Sequence, residues 1–340
     1  MINLGFWEKL NKPFFCLAPM ADVTDVAFRQ IINKYGKPDV FWTEFVSADG
    51  LVHPVAREKL MVDLTYDQGE HPIVAQIFGG RPENIETAAA LCQELGFDGV
   101  DINMGCPDKS IEKQGAGAGM IKDVEKAKQV IKAAKKGAPN IPISVKTRIG
   151  YNRNEIETWI RELLSEDIAV LSVHLRTRKE MSNVPAHWEL MKRIVEIRDE
   201  MGKSTLIVGN GDVLGINDGR NKCIETGCDG VMLGRAIFGN PWLFSGRQDL
   251  AEAFTSFPTP FLSKERGVEE KLRVMVEHTK LFEELLGKYK NFAIMKKHYK
   301  AYVNGFDGAK ELRIKLMEVE NATQVENIVN EFLDHNNLTK

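Results

Sequence analysis

Cysteine is scarce in this 340-residue chain, and the five present (16, 92, 106, 223 and 228) form no Cys-x-x-Cys pair. An odd number at such spacings excludes a disulfide framework and offers neither a zinc nor a dithiol-redox motif, so no metal is expected. Long apolar runs are missing too, since stretches such as Phe14 to Met20 fall far short of the ~20 residues that span a bilayer. The opening MINLGFWEKLNKP has no basic segment leading into an apolar one, so no secretory signal is expected and the cytoplasm is the expected location. Neither sign of charge dominates. With 45 Lys+Arg against 48 Asp+Glu the net charge is −3, so any contact with nucleic acid must come from a local patch. What is present is an ordinary globular mixture, 43% hydrophobic and 27% charged, long enough for one large α/β barrel or two domains.

Eight short β-rich runs recur along the chain: Phe14–Leu17, Val40–Thr43, Ile73–Ile77, Gly99–Asn103, Ile143–Lys146, Val170–His174, Leu206–Gly209 and Gly230–Leu233. Helical periodicity fills the intervals, with proper punctuation. After the third run, Pro82 and Glu83 open a helix and Gly96 stops it; after the fourth, Asp123 opens one and Lys135-Lys136-Gly137 close it. Strand and helix alternating eight times predict a (β/α)8 barrel, with a doubly wound open sheet as the alternative. Beyond Thr255 the pattern changes. Phe257-Pro258-Thr259-Pro260 reads as a linker, and Gly267–Leu286, Asn291–Gly305 and Ala309–Asn336 have helical spacing only. The expected division is a barrel over residues 1–254 and a small all-helical domain over 255–340. In the latter, Lys288, Lys290, Lys296, Lys297 and Lys300 occur without an acid and alternate with Tyr289, Phe292, His298, Tyr299 and Tyr302. Such a run is either a solvated face or a phosphate-tracking surface with aromatics available for stacking.

Polar residues gather where the strands of such a barrel end, which is where its chemistry sits. Gly209-Asn210-Gly211 and Gly234-Arg235 end strands seven and eight, the usual place for a phosphate held by backbone N–H groups. Lys146 and Gln76 suit a flavin ring, as a cation beside its pyrimidine edge and an amide for its nitrogens. Cys16, Cys92, Cys223 and Cys228 read as small buried hydrophobes. Cys106 differs: it follows a strand end between Gly105 and Pro107, in a Gly-rich loop that predicts exposure and mobility. A thiol there is mostly protonated at neutral pH and can donate a proton.

These segments together resemble the dihydrouridine synthases, flavin enzymes that reduce uridines in RNA, usually tRNA. The resemblance is carried by Ala18-Pro19-Met20-Ala21-Asp22-Val23-Thr24-Asp25, Asn103-Met104-Gly105-Cys106-Pro107, Val145-Lys146-Thr147-Arg148 and His174-Leu175-Arg176-Thr177-Arg178. It continues in Asn210-Gly211-Asp212, Met232-Leu233-Gly234-Arg235 and Gly239-Asn240-Pro241-Trp242, while Met295-Lys296-Lys297-His298-Tyr299 is similar to the family's RNA-binding helix. The resemblance implies Cys106 as the general acid and FMN held by Pro19, Met20, Ala21, Gln76, Lys146, His174, Asn210, Gly211, Asp212, Gly234 and Arg235. It implies Asn103 and Arg176 at the target uracil, Lys296, Lys297 and Lys300 on the RNA, and NADPH as reductant. Hydride would pass from FMN to C6 of the uracil and a proton from Cys106 to C5, on a base swung out of its RNA fold. Two positions depart from the family pattern: Leu175 follows His174 where glycine is usual, and Gly119 stands where a larger residue is common. Two rival readings are an FMN oxidoreductase of small molecules, of the dihydroorotate or enoate-reducing kind, and a non-catalytic RNA-binding protein; ribosomal RNA is the alternative RNA substrate.

Overall fold

The structure, a computed structural model, describes residues 2–245 and 261–336, with side chains from Gly267 onward in the second stretch. The expected boundary at 254/255 and the linker Phe257-Pro258-Thr259-Pro260 lie outside the described residues. The chain forms two compact units, Met1–Ala21 with Asp39–Gly234, and Asp22–Pro38 with Arg235–Lys340.

The first unit is a parallel barrel. Its strands are β1 (Phe14–Leu17), β2 (Phe41–Trp42), β3 (Val46–Ser47), β4 (Ile73–Phe78), β5 (Gly99–Met104), β6 (Ile143–Arg148), β7 (Val170–His174), β8 (Leu206–Asn210) and β9 (Gly230–Leu233). They pair in the order β1-β9-β8-β7-β6-β5-β4-β2, and a parallel bridge from Cys16 to Val40, with Leu17 N–H donating to Val40 C=O at 3.3 Å, closes the ring. The expected second strand is divided in two. Phe41 and Trp42 pair with Ile73 and Val74, whereas Val46 and Ser47 pair with Ile77 and Phe78, so the β2–β3 strand carries one extra residue, a bulge. At the interruption Thr43 Oγ1 accepts the Gln76 N–H at 3.0 Å and donates to Glu44 C=O at 2.8 Å, so a hydroxyl replaces a ladder acceptor.

Residues two apart on a strand share a face, and hydrogen bonds show which face is inside. Asp101 and Asn103 of β5 bond Gln76 of β4, whereas Thr147 Oγ1 of β6 accepts from Trp159 Nε1 of the helix Ile156–Ser165 at 2.9 Å and so faces outward. Phe14, Cys16, Val40, Trp42, Val74, Val170, Leu206, Val208 and Met232 form a buried cluster. Trp7, carried on the turn Gly5–Lys9, joins it with ring centroids 5.5 Å from Phe14 and 5.7 Å from Trp42. The strands thus bring apolar side chains to their N-terminal ends and polar ones to their C-terminal ends.

The crossover helices follow their punctuation. Pro82–Glu94 begins on its proline and is followed by Gly96 at φ +84°, and Val124–Gly137 is capped by Asp123, which accepts from the Lys126 N–H. In the second unit, Phe261–Leu286, Met295–Tyr302, Ala309–Glu318 and Ala322–His335 are helices, joined there by Val26–Gly36. The single helix expected over Ala309–Asn336 is two. Asn321 takes an extended conformation and its side chain accepts from the Gln324 N–H, starting a new helix. No described helix is long and apolar enough to cross a membrane.

Candidate active site

The inward polar residues of β4 to β8 hydrogen-bond in separate groups, one around Gln76 and Asp101, one around Lys146 and one around Arg176. On β6, Lys146 reaches β8, where its Nζ donates to Asn210 Oδ1 at 3.1 Å, and Asn210 Nδ2 in turn donates to Met232 C=O at 2.8 Å. Among the described residues Asn210 is the one hydrogen-bond partner of this ammonium. Burial first, and the positive Arg148 second, lower the Lys146 pKa to about 8, with Asp101 and Cys106 pulling the other way. A half-buried ammonium with N–H groups to spare calls for an acceptor carrying negative charge. That is the observation by which the site fits a flavin, whose pyrimidine edge supplies one.

His174 of β7 accepts at Nε2 from Arg176 Nη1 at 3.1 Å; a guanidinium only donates, so the ring carries its proton on Nδ1. Arg176, 2% exposed, also donates through Nε to Val184 C=O at 2.6 Å and pairs through Nη2 with Asp212. Asp212, at φ +49°, further accepts the Ala186 N–H at 2.8 Å. Between them Gly211 sits at φ +122°, where a Cβ would lie 2.9 Å from Ala186 Cβ and 3.1 Å from His174 Cδ2. Only glycine lets the loop pass the histidine ring.

Cys106 follows β5 on a loop tied at several points. Asn103 Oδ1 accepts the N–H groups of Gly105 at 3.1 Å and Cys106 at 2.9 Å, Arg148 Nε donates to Gly105 C=O at 2.7 Å, and the Ala118 N–H donates to Cys106 C=O at 2.9 Å. Beyond it, Arg178 grips both carboxylate oxygens of Glu112, on the short helix Lys109–Lys113, at 2.7 Å each. The loop expected to be mobile is therefore fastened by side chains from neighbouring strand ends. The thiol is half-buried, and burial raises its pKa above the ordinary value; the Asp108 backbone N–H, Arg148 and Lys146 offset part of the rise. A thiol so placed stays protonated at neutral pH. The other four cysteines are buried, as their sequence contexts suggest.

Gln76, Asn103, Lys146, His174, Arg176, Asn210, Gly211 and Asp212 come together in the first unit. Pro19 and Met20 are half-buried and Ala21 is exposed. At Gly234 a Cβ would meet Ala18 Cβ and Met20 Sδ at 3.7 Å, an ordinary contact. The boundary between the units falls after Gly234, so Arg235, which is exposed, belongs to the second. Lys296 is half-buried there and Lys297 and Lys300 are exposed, with Lys297 Nζ 2.9 Å from Asp22 Oδ2. The aromatics between them do not all offer stacking surfaces: His298, Tyr299 and Tyr302 are at most 1% exposed. With Met295 they lie at helical spacing on the inward face, and the lysines take the other. Tyr289 is exposed.

Sequence reasoning gave no role to Asp101, Arg148 or the Arg178–Glu112 pair. Period-2 alternation from Asn103 and Lys146 would have found the first two, because it places Asp101 and Arg148 on the site's own face. Nothing local signals the Arg178–Glu112 pair, which joins residues 66 apart.

Comparison with known proteins bears on the family. The dihydrouridine synthase (Dus) family matches residues 16–337. A probable tRNA-dihydrouridine synthase of Staphylococcus aureus (strain Mu50) is 39% identical over 334 residues, covering 96% of this chain and 95% of the relative. Probable tRNA-dihydrouridine synthase 2 of Bacillus subtilis (strain 168) is 41% identical over 330 residues, covering 96% of each. Among solved structures, histamine dehydrogenase from Rhizobium sp. 4-9 matches with TM-score 0.52 at 12% identity, over 76% of this chain and 48% of that one. A 2-naphthoyl-CoA reductase complex matches with TM-score 0.54 at 10% identity, over 68% and 49%. These two likenesses bear on the fold alone. With its sequence matched to the family nearly end to end, the chain belongs to the dihydrouridine synthases.

Proposed function

We propose that this protein reduces the C5=C6 bond of specific uridines in tRNA, with FMN as its cofactor and NADPH as reductant. The observation that carries the reading is the presence, at the strand ends of one barrel, of the half-buried Cys106 thiol and of the Lys146 ammonium, whose one hydrogen-bond partner among the described residues is Asn210. When bound and reduced by NADPH, FMN would supply the hydride that C6 accepts, because the C4 carbonyl draws electrons from the C5=C6 bond. Lys146 would be the counter-charge for the flavin's pyrimidine edge, Gln76, His174 and Asn210 would hold the ring, and Pro19, Met20, Ala21, Gly211, Asp212, Gly234 and Arg235 would complete the FMN contacts. Cys106 holds the proton that C5 needs and releases it as C5 becomes basic. Asn103 has one amide N–H left for the base after bonding Gln76 Oε1, and Arg176 adds the remaining N–H of its terminal nitrogens. Lys296, Lys297 and Lys300 lie on the RNA backbone, and the protein works in the cytoplasm. In this proposal residues 1–254 perform the reduction and residues 255–340 grip the RNA.

The test is incubation of the purified protein with FMN, NADPH and unmodified tRNA transcripts, with dihydrouridine read by mass spectrometry. Ribosomal RNA, orotate and simple enoates are run beside it. Dihydrouridine in tRNA alone is the expected result; turnover of the small acceptors without RNA reduction would replace the proposal with the small-molecule reading.

A further inference from the structure

The proposed chemistry leaves Asp101 without a task, although it is fully buried inside the barrel. Its carboxylate accepts from Gln76 Nε2 at 2.6 Å and from Ser144 Oγ at 2.5 Å. An ionised carboxylate has no hydrogen to give, so Gln76 must turn its amino end toward it. That leaves Gln76 Oε1 facing Asn103, whose Nδ2 donates to it at 3.0 Å. Asn103 Oδ1 is then turned to the backbone N–H groups of Gly105 and Cys106. The direction is fixed from both ends, by the carboxylate at Gln76 and by the backbone N–H groups, which can only donate, at Asn103.

We propose that Asp101 is a positioning residue: it locks the Gln76 end of the Gln76–Asn103 relay in the direction that the Gly105 and Cys106 N–H groups require, and so strengthens the anchor on the backbone of Cys106. Burial raises the Asp101 pKa to about 6, with Ser144, Gln76 and Lys146 holding it from rising further, so the group is mostly ionised at neutral pH. The inference rests on the proposed function only for its consequence, the placing of the acid; the relay itself is a property of the chain.

The rival explanation is that Asp101 merely balances the charge of Lys146. Two variants separate them. Asp101→Asn keeps the shape but lets the amide present either end to Gln76, and Gln76→Leu breaks the relay while keeping the carboxylate. The readout is the rate at which iodoacetamide alkylates Cys106 in the purified full chain, followed by peptide mass spectrometry across a pH series. Relay loss frees the Cys106 backbone and raises the high-pH plateau, by about 2- to 10-fold for one net hydrogen bond. Loss of charge balance moves only the midpoint. The double variant Asp101→Asn with Gln76→Glu restores the direction. Its new amide on β5 can only donate to its new carboxylate on β4, and the other oxygen of that carboxylate still accepts from Asn103. We expect a raised plateau in both single variants and its return in the double variant. Unchanged plateaus in the single variants, or one that stays raised in the double, would overturn the proposal. If Asp101→Asn does not fold, Gln76→Leu alone decides. Since no step of the assay needs RNA or flavin turnover, a failure here is distinguishable from a failure of the proposed function.

Discussion

Cys106 and Cys92 show how one residue type takes two roles within a single barrel. Cys92 lies on the inner face of its helix, and burial pushes its pKa to about 12, so it packs and nothing more. Cys106 is half open to the mouth. Cys106→Ser is expected to slow reoxidation of the reduced flavin by tRNA by roughly 10²–10⁴-fold, the usual worth of a general acid, while reduction by NADPH stays near wild type. Stopped-flow absorbance separates the two half-reactions, and Cys92→Ser, the control, should change thermal stability alone. Equal half-reactions in Cys106→Ser would assign the proton to solvent. Lys146 makes a second prediction at this scale. Its pKa of about 8 means that the charge is lost as pH rises through that value. FMN affinity, measured by fluorescence titration, should therefore fall above pH 8 in the wild type. In Lys146→Ala it should be flat with pH and weaker by about 10- to 100-fold, the worth of one charge-assisted hydrogen bond. Both residues were legible as strand-end polar groups. Asp101 was not singled out, because a buried carboxylate declares itself only through the partners that surround it.

At the scale of elements, the strands were legible because parallel barrel strands are short apolar runs whose ends carry functional polar groups. The second strand was legible only as one run: its bulge depends on Thr43 Oγ1 meeting a backbone N–H on β4, a contact 33 residues away in sequence. The break within Ala309–Asn336 was visible in principle, since Asn321 stands three residues before a glutamine in the pattern of a helix start, but unbroken apolar spacing on both sides hid it. The loop after β5 depends most on distant partners. Its helix Lys109–Lys113 is held by Arg178 through a two-point pair in which both side chains are largely buried, 21% and 11% exposed. Arg178→Ala removes both bonds and leaves Glu112 without its counter-charge. We expect faster tryptic cleavage at Lys109 and Lys113, seen by timed mass spectrometry, with the remainder of the barrel no more sensitive than in the wild type. Unaltered cleavage would mean that Arg148 and Asn103 hold the loop unaided.

At the scale of the whole molecule, each unit has its own core and its own sensitivity to solution conditions. The surface of the second carries Lys296, Lys297 and Lys300; replacing all three with alanine should lower tRNA affinity and reduce the slope of log K against log salt by about 0.7–0.9 for each lost phosphate contact. An unchanged slope would make these lysines a solvated face. The core of the same unit holds two histidines. His278 and His298 meet with ring centroids 4.6 Å apart, and Phe28 lies 5.5 Å from the first and 5.1 Å from the second. Both nitrogens of His278 and Nε2 of His298 have no hydrogen-bond partner among the described residues, and neither does the buried Tyr302 hydroxyl beside them. Burial lowers the pKa of both, helped at His278 by His298 and at His298 by Lys297: His278 falls well below its usual range and His298 to about 3. In the unfolded chain each titrates near 6.5, so the folded and unfolded states bind the same number of protons at these sites above that pH. As pH falls below about 6.5 the unfolded chain takes up protons that the folded core refuses, and stability drops by up to about 1.4 kcal/mol per pH unit for each histidine. The loss should continue down to the folded pKa, near 3 for His298. Denaturant midpoints of the full chain at intervals from pH 7.5 to 5 measure this slope, and His298→Phe, which keeps an aromatic ring against Phe28, should remove about half of the histidine share while leaving the carboxylate background common to both proteins. Identical slopes in the wild type and His298→Phe would show that the pair takes up protons without opening the core.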